Sequence, residues 1–184
     1  HSFPTRRSSD LLVGVNTVIN DNPLLTTRLP RGGKNPIRVV LDSHLRIPLE
    51  SDILNVEHAK TIIFCGSEAS EEKKGMLLDK GVRVEQLESP ELPVKMVLQR
   101  LGELNVTSLF VEGGSAVHFS FLKEKAYQEV VIYIAPKLVG GAEAFTSFGG
   151  QGFPSIAEGD ELEFSSIEKI GKDIKIVAKP IRKE

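Results

Sequence analysis

The sequence of 184 residues has no tryptophan, two tyrosines and a single cysteine, Cys65. One cysteine closes no internal disulfide and builds no thiolate cage, and its place at the end of the apolar run TIIFC predicts a buried strand-end thiol. Long apolar runs are missing as well. The most apolar stretch, residues 130–136, falls far short of the roughly 18 residues that cross a bilayer, and no basic start leads into an apolar leader. A cytoplasmic location without membrane contact is expected. Neither sign of charge dominates: 23 basic side chains stand against 25 acidic ones, a net charge of −2, so nothing in the composition favours a nucleic-acid partner. His44, His58 and His118 lack metal-ligand spacing, so no metal is expected, and no nucleophile elbow supports hydrolase chemistry.

What is present is one domain's worth of chain with 40% hydrophobic residues, enough for a single core. Residues 11–15, 37–42, 61–65, 82–85, 108–112 and 130–135 are nearly continuous apolar runs, the pattern of strands covered on both faces. Between them, Val94, Val97, Leu98, Leu101 and Leu104 recur at helical spacing behind Pro93. Residues 67–80 place acidic groups early, lysines later and Gly81 just beyond, which predicts a second helix. Residues 163–170 and 174–179 alternate around Gly171, predicting a terminal antiparallel hairpin. The expected fold is therefore α/β: a mixed sheet, mostly parallel, with helices on both faces and the hairpin at its edge. Residues 30–36 and 140–154 read as loops, and the second is long enough to be functional or mobile. The opening HSFPTRRSSDL has neither period, and it matches the translation of a common sequencing-adapter oligonucleotide. Residues 1–11 are accordingly expected to be a non-native segment ahead of one domain spanning 12–184.

Three stretches could carry chemistry. In Val111-Glu112-Gly113-Gly114-Ser115 a strand gives way to a helix, with Ser115 suited to its N-cap. Glycines there let a ligand approach the backbone, and the helix start favours phosphate, although an ordinary tight turn fits equally. Glu112 would lie at the carboxyl edge, where open α/β sheets bind ligands. Asp42-Ser43 ends another strand at that same edge, with a turn start as the alternative. Residues 16–28 are dense in hydrogen-bonding side chains, which suits a polar ligand, although composition alone favours caps and turns at Asn16, Asp21 and Asn22.

In order, VGVNTVINDNPLLTTR, PIRVVLDSHLRIPL, FVEGGSAVHFSFL and EVVIYIAPKLVGG resemble the reductase domain of the bifunctional riboflavin-biosynthesis deaminase/reductases. The resemblance covers nearly everything from Leu12 onward. It implies a dihydrofolate-reductase-like fold and NADPH-dependent reduction of 5-amino-6-(5-phosphoribosylamino)uracil to its ribitylamino product. It also implies cofactor contacts at Thr17, Asp21, Ser43 and Gly114, Ser115, Ala116, Val117, His118, Phe119 and Ser120, and substrate contacts at Leu25, Arg28 and Glu112, with Asp21 or Glu112 moving the proton. By the same resemblance, a first strand and a substrate-binding stretch should precede Leu12. An upstream zinc deaminase domain is expected in the full-length protein, and a homodimer is a reasonable assembly. Arg46 is a candidate for a 2′-phosphate. Competing readings are a reductase of another pterin-like or pyrimidine-like substrate and a non-catalytic dinucleotide-binding fragment.

Overall fold

A computed structural model describes residues 9–28, 33–141, 144 and 146–182. Residues 1–8 of the foreign-looking start, residue 29, 30–32 of the first expected loop and 142, 143 and 145 of the second lie outside them. Strands β1 (Asp10–Gly14), β2 (Arg38–Leu41), β3 (Thr61–Cys65), β4 (Arg83–Gln86) and β5 (Leu109–Gly113) form one parallel sheet in the order β4-β3-β2-β1-β5. The helices are α1 (Val15–Asp21), α2 (Glu71–Asp79), α3 (Val94–Glu103) and α4 (Ser115–Lys123).

The two-residue period of the strands sorts their side chains into two cores. Val13, Val40, Ile63 and Cys65 pack with Val18 of α1 and Leu77 of α2. Leu12, Val39, Ile62 and Phe64 pack on the other face with Val97 and Leu101 of α3 and Phe121 of α4. Burial on both faces is why these strands are apolar throughout. Cys65 is buried as expected, and desolvation pushes its thiol up to about 11. β1 begins at Asp10, one residue before the expected strand start at Leu11 and two before the expected domain boundary at Leu12, so two residues of the foreign-looking segment take part in the sheet. The Asp10 amide donates to the Ser108 carbonyl at 2.9 Å, and its carboxylate accepts from the Ile37 amide at 2.8 Å.

The predicted hairpin is present as β7 (Leu162–Ile170) and β8 (Asp173–Pro180), turning through Gly171 at φ +62°, where glycine avoids a Cβ penalty. It pairs with β6 (Val130–Ile134) in a separate antiparallel sheet, β6-β8-β7. Among the described residues, β5 and β6 therefore remain edge strands. A cleft of about 730 Å³ opens between them, lined by Phe110, Val111 and Glu112 on one side and Ile132 and Tyr133 on the other.

Candidate functional site

Because β1, β2 and β5 are parallel, their last residues share one rim of the sheet, the edge at which such sheets take ligands. Two glycines let the helices crowd there. A Cβ on Gly14 would sit 2.8 Å from Cγ2 of Val117, and one on Gly113 only 2.7 Å from Oγ1 of Thr17. Gly114, at φ +87°, turns the chain into α4 and serves as its N-cap. Ser115 was expected to be that cap; it is the first helical residue instead, because the left-handed Gly114 already makes the turn. No side chain caps α4, so its leading amides and dipole face the rim, an arrangement that favours an anion.

Thr17 lies against Gly113 and Gly114, and Ser43 follows β2 at the same edge of the sheet. Asp42 is buried and its carboxylate accepts from the Ile47 amide at 2.8 Å, so it shapes the turn rather than meeting a ligand. Arg46 donates to the Asn16 side chain at 2.9 Å, which brings an exposed guanidinium to the start of α1. This link between residues thirty positions apart carries no local signal in the sequence.

The remaining expected contacts divide. Glu112 is exposed and lines the cleft between the sheets. Asp21 is exposed at the far end of α1 and does not line that cleft. Leu25, at φ +48°, packs beside the first core, and the preceding carbonyl of Leu24 accepts from Arg38 at 3.1 Å. Arg38 opens β2, so the segment carrying Leu25 and the exposed Arg28 lies toward the amino end of the sheet, apart from the Gly114 rim. Arg38 is itself fully buried, donates also to the Asn55 and Ala59 carbonyls at 2.7 Å each, and is drawn down in pKa by desolvation. It was not foreseen as a support of this segment; an arginine in an otherwise apolar strand was the available sign. On α4, Ala116 and Ser120 are exposed, the Ser120 hydroxyl donates back to the Ala116 carbonyl at 3.1 Å, and Phe119 meets Phe153 edge-on. The His118 ring turns away from the amides toward the carbonyls of Val111 and Ser147. Among the described residues no cluster of three or more His, Cys, Asp and Glu side chains is placed to hold a metal, and no helix is long and apolar enough to cross a membrane.

A family model described as the RibD C-terminal domain matches residues 5–176. The chain belongs to that family. The riboflavin biosynthesis protein RibD of Bacillus amyloliquefaciens is 41% identical over 170 residues, covering 92% of this chain and 46% of that protein. The 2,5-diamino-6-ribosylamino-4(3H)-pyrimidinone 5′-phosphate reductase of Methanothermobacter thermautotrophicus is 35% identical over 172 residues, covering 92% of this chain and 79% of that one. Among solved structures, Acinetobacter baumannii RibD in its second form aligns with a TM-score of 0.80 at 26% identity over 95% of this chain and 47% of its own. The chain thus spans about half the length of the RibD relatives it matches. The fold and family that the four motifs implied are both established by these matches.

Proposed function

We propose that this RibD C-terminal domain is an NADPH-dependent reductase of riboflavin biosynthesis that converts 5-amino-6-(5-phosphoribosylamino)uracil to 5-amino-6-(5-phosphoribitylamino)uracil. The observation that carries the reading is the uncapped start of α4, brought by Gly113 and Gly114 against Thr17 at the carboxyl rim, in a chain whose relatives are named for this pathway. The residues present fit a dinucleotide. Gly114 through Ser120 would hold its phosphates from the helix start, Thr17, Asp21 and Ser43 would bind its nearer groups, and Arg46 would select a 2′-phosphate.

When bound, the reduced nicotinamide supplies a hydride to C1 of the opened, imine-like sugar, while the attached nitrogen gains a proton. Arg28 suits the sugar phosphate through its forked donors, with Leu25 beside it, which requires the substrate to reach from the rim toward the amino end of the sheet where this segment lies. We assign the proton to Glu112, because it stands in the cleft beside α4 whereas Asp21 closes α1. The protein's contribution is then orientation of the C1 carbon and exclusion of water. In the full-length protein we expect a zinc deaminase domain upstream. We also expect a cytoplasmic homodimer, with the exposed apolar side chains of β7 and β8 as its contact.

The test is loss of nicotinamide absorbance with the phosphoribosylamino-uracil, compared with the 2,5-diamino-pyrimidinone phosphate named for the archaeal relative and with dihydrofolate. Turnover of the uracil substrate is expected. Preference for the pyrimidinone would move the substrate within the same pathway, and oxidation with dihydrofolate alone would overturn the proposal. Binding without oxidation of NADPH would favour a non-catalytic fragment, a reading that the break between β5 and β6 supports. Glu112→Gln should lower kcat more than NADPH affinity, and Arg28→Ala should raise the substrate KM.

A further inference from the structure

The long glycine-rich segment after β6 is not absorbed by the roles above, yet it is tied to the start of α4 at several points. The Gly149 amide donates to the Ser115 carbonyl at 3.0 Å. A Cβ on Gly149 would come 2.6 Å from Oγ of Ser115, and one on Gly150 2.7 Å from the Phe119 ring. Neither position takes a Cβ at this spacing unless the Ser115 or Phe119 side chain moves. Gly150 and Gly152 adopt φ of +76° and +66°, so this part of the chain presents backbone rather than side chains beside the amides of α4.

His118 fastens the segment to the sheet. Its Nδ1 is 2.9 Å from the Ser147 carbonyl, its Nε2 is 3.2 Å from the Val111 carbonyl, and its ring meets Phe148 at 5.8 Å. One ring thus joins the helix that bears it, the strand position just before Glu112 and the glycine-rich segment. Both partners are acceptors and a neutral imidazole carries a single N–H, so only the protonated ring satisfies the two together. The titratable groups that share its cleft are Glu112 from β5, Tyr127 and Glu129 from the connection after α4, and Tyr133 from β6.

From this arrangement we infer that residues 146–152 form a backbone wall of the dinucleotide pocket and that His118 is the positioning residue that holds this wall against α4. The inference rests on the dinucleotide reading above and changes the part played by His118, from a cofactor contact to the latch of the pocket. The ligand class is the same anionic nucleotide, held by the leading amides of α4, with the segment closing the pocket beside them.

Hydrogen exchange of the Gly149 amide, measured on the nucleotide-free chain, reads the latch independently of any ligand. His118→Phe keeps the ring against Phe148 and deletes both polar contacts. It should lower Gly149 protection about tenfold, the size of one to two lost hydrogen bonds, while the melting temperature falls by no more than about 5 °C, so the chain stays folded. NADPH, titrated by its fluorescence, should bind about tenfold more weakly to this variant. His118→Gln, which retains one donor, should recover part of both losses. Unchanged protection in His118→Phe overturns the latch, and loosened protection with unchanged NADPH affinity overturns the wall. Failure of the native chain to bind NADPH at all sinks the dinucleotide reading, and the wall with it, whatever the exchange shows.

Discussion

The two sheets of this chain differ in their strands and in their surroundings: the parallel strands are nearly continuous apolar runs, whereas β7 and β8 alternate. In the parallel sheet, Leu12, Val39, Val40, Ile63 and Phe64 are at most 1% exposed. In the antiparallel sheet, Phe164 and Ile167 are 62% and 61% exposed, and Ala178 is its one fully buried hydrophobic side chain among the described residues. Helices cover the first sheet on both faces and so create a rim where strand ends, helix starts and glycines meet. The second sheet lies beyond an open cleft and contributes a wall and a surface rather than a core. The alternation of β7 and β8 already marks an uncovered face, whereas β6, VVIYI, is as apolar as the parallel strands yet only half-buried, so what packs on a strand decides its burial.

The contrast is most sharply tested at Arg38. Replacing it with leucine leaves the carbonyls of Leu24, Asn55 and Ala59 without their donor inside the parallel layer, and should cost about 4 kcal/mol in urea denaturation. A cost near that of a surface substitution would show that the layer is less closed than described. Ile63→Ala should cost about 3 kcal/mol by the cavity it leaves, against about 0.5 kcal/mol for Ile167→Ala on the exposed sheet. Equal costs would erase the difference between the sheets, and a large cost at Ile167 that depends on protein concentration would instead reveal a partner subunit covering that face.

A smaller effect should appear at the far edge of the parallel sheet. Glu85 on β4 is raised by burial but more than compensated by hydrogen bonds from Arg100 and Arg83, so its carboxyl sits below the usual range. A lowered folded-state pKa adds stability that is complete above the unfolded pKa and fades as pH falls through the folded one. Glu85→Gln should therefore cost about 1 kcal/mol near neutral pH, given how exposed both arginines are, and nothing in strong acid. Stability curves of the two chains that stay parallel down into acid would contradict this.

These tests bear on what the residues reveal without coordinates. The parallel strands were legible because burial on both faces writes continuous apolar runs, and α3 because its apolar positions follow one helical stripe. Helix α1 was not: seven residues rich in Asn, Thr and Asp show only Val15 and Val18 as an inward face, and Asn22, at φ +40°, ends it as a left-handed cap. The separation into two sheets was hidden too, because pairing partners such as Val131 and Val177 are far apart in the chain. At the site, Gly113 and Gly114 announced themselves as a turn after a strand, whereas the contact of Gly149 with Ser115 joins two local patterns that are each unremarkable.

We propose that the carboxyl rim of the parallel sheet, at the Gly114 turn, holds a reduced nicotinamide nucleotide. Fluorescence titration of NADPH with the native chain and with Gly114→Val tests it most directly, since a β-branched residue at φ +87° is strained by several kcal/mol or forces the turn to move. Saturable binding by the native chain, weakened at least about tenfold in the variant, is the predicted result. Equal affinity in the two chains, or no binding by either, would contradict it.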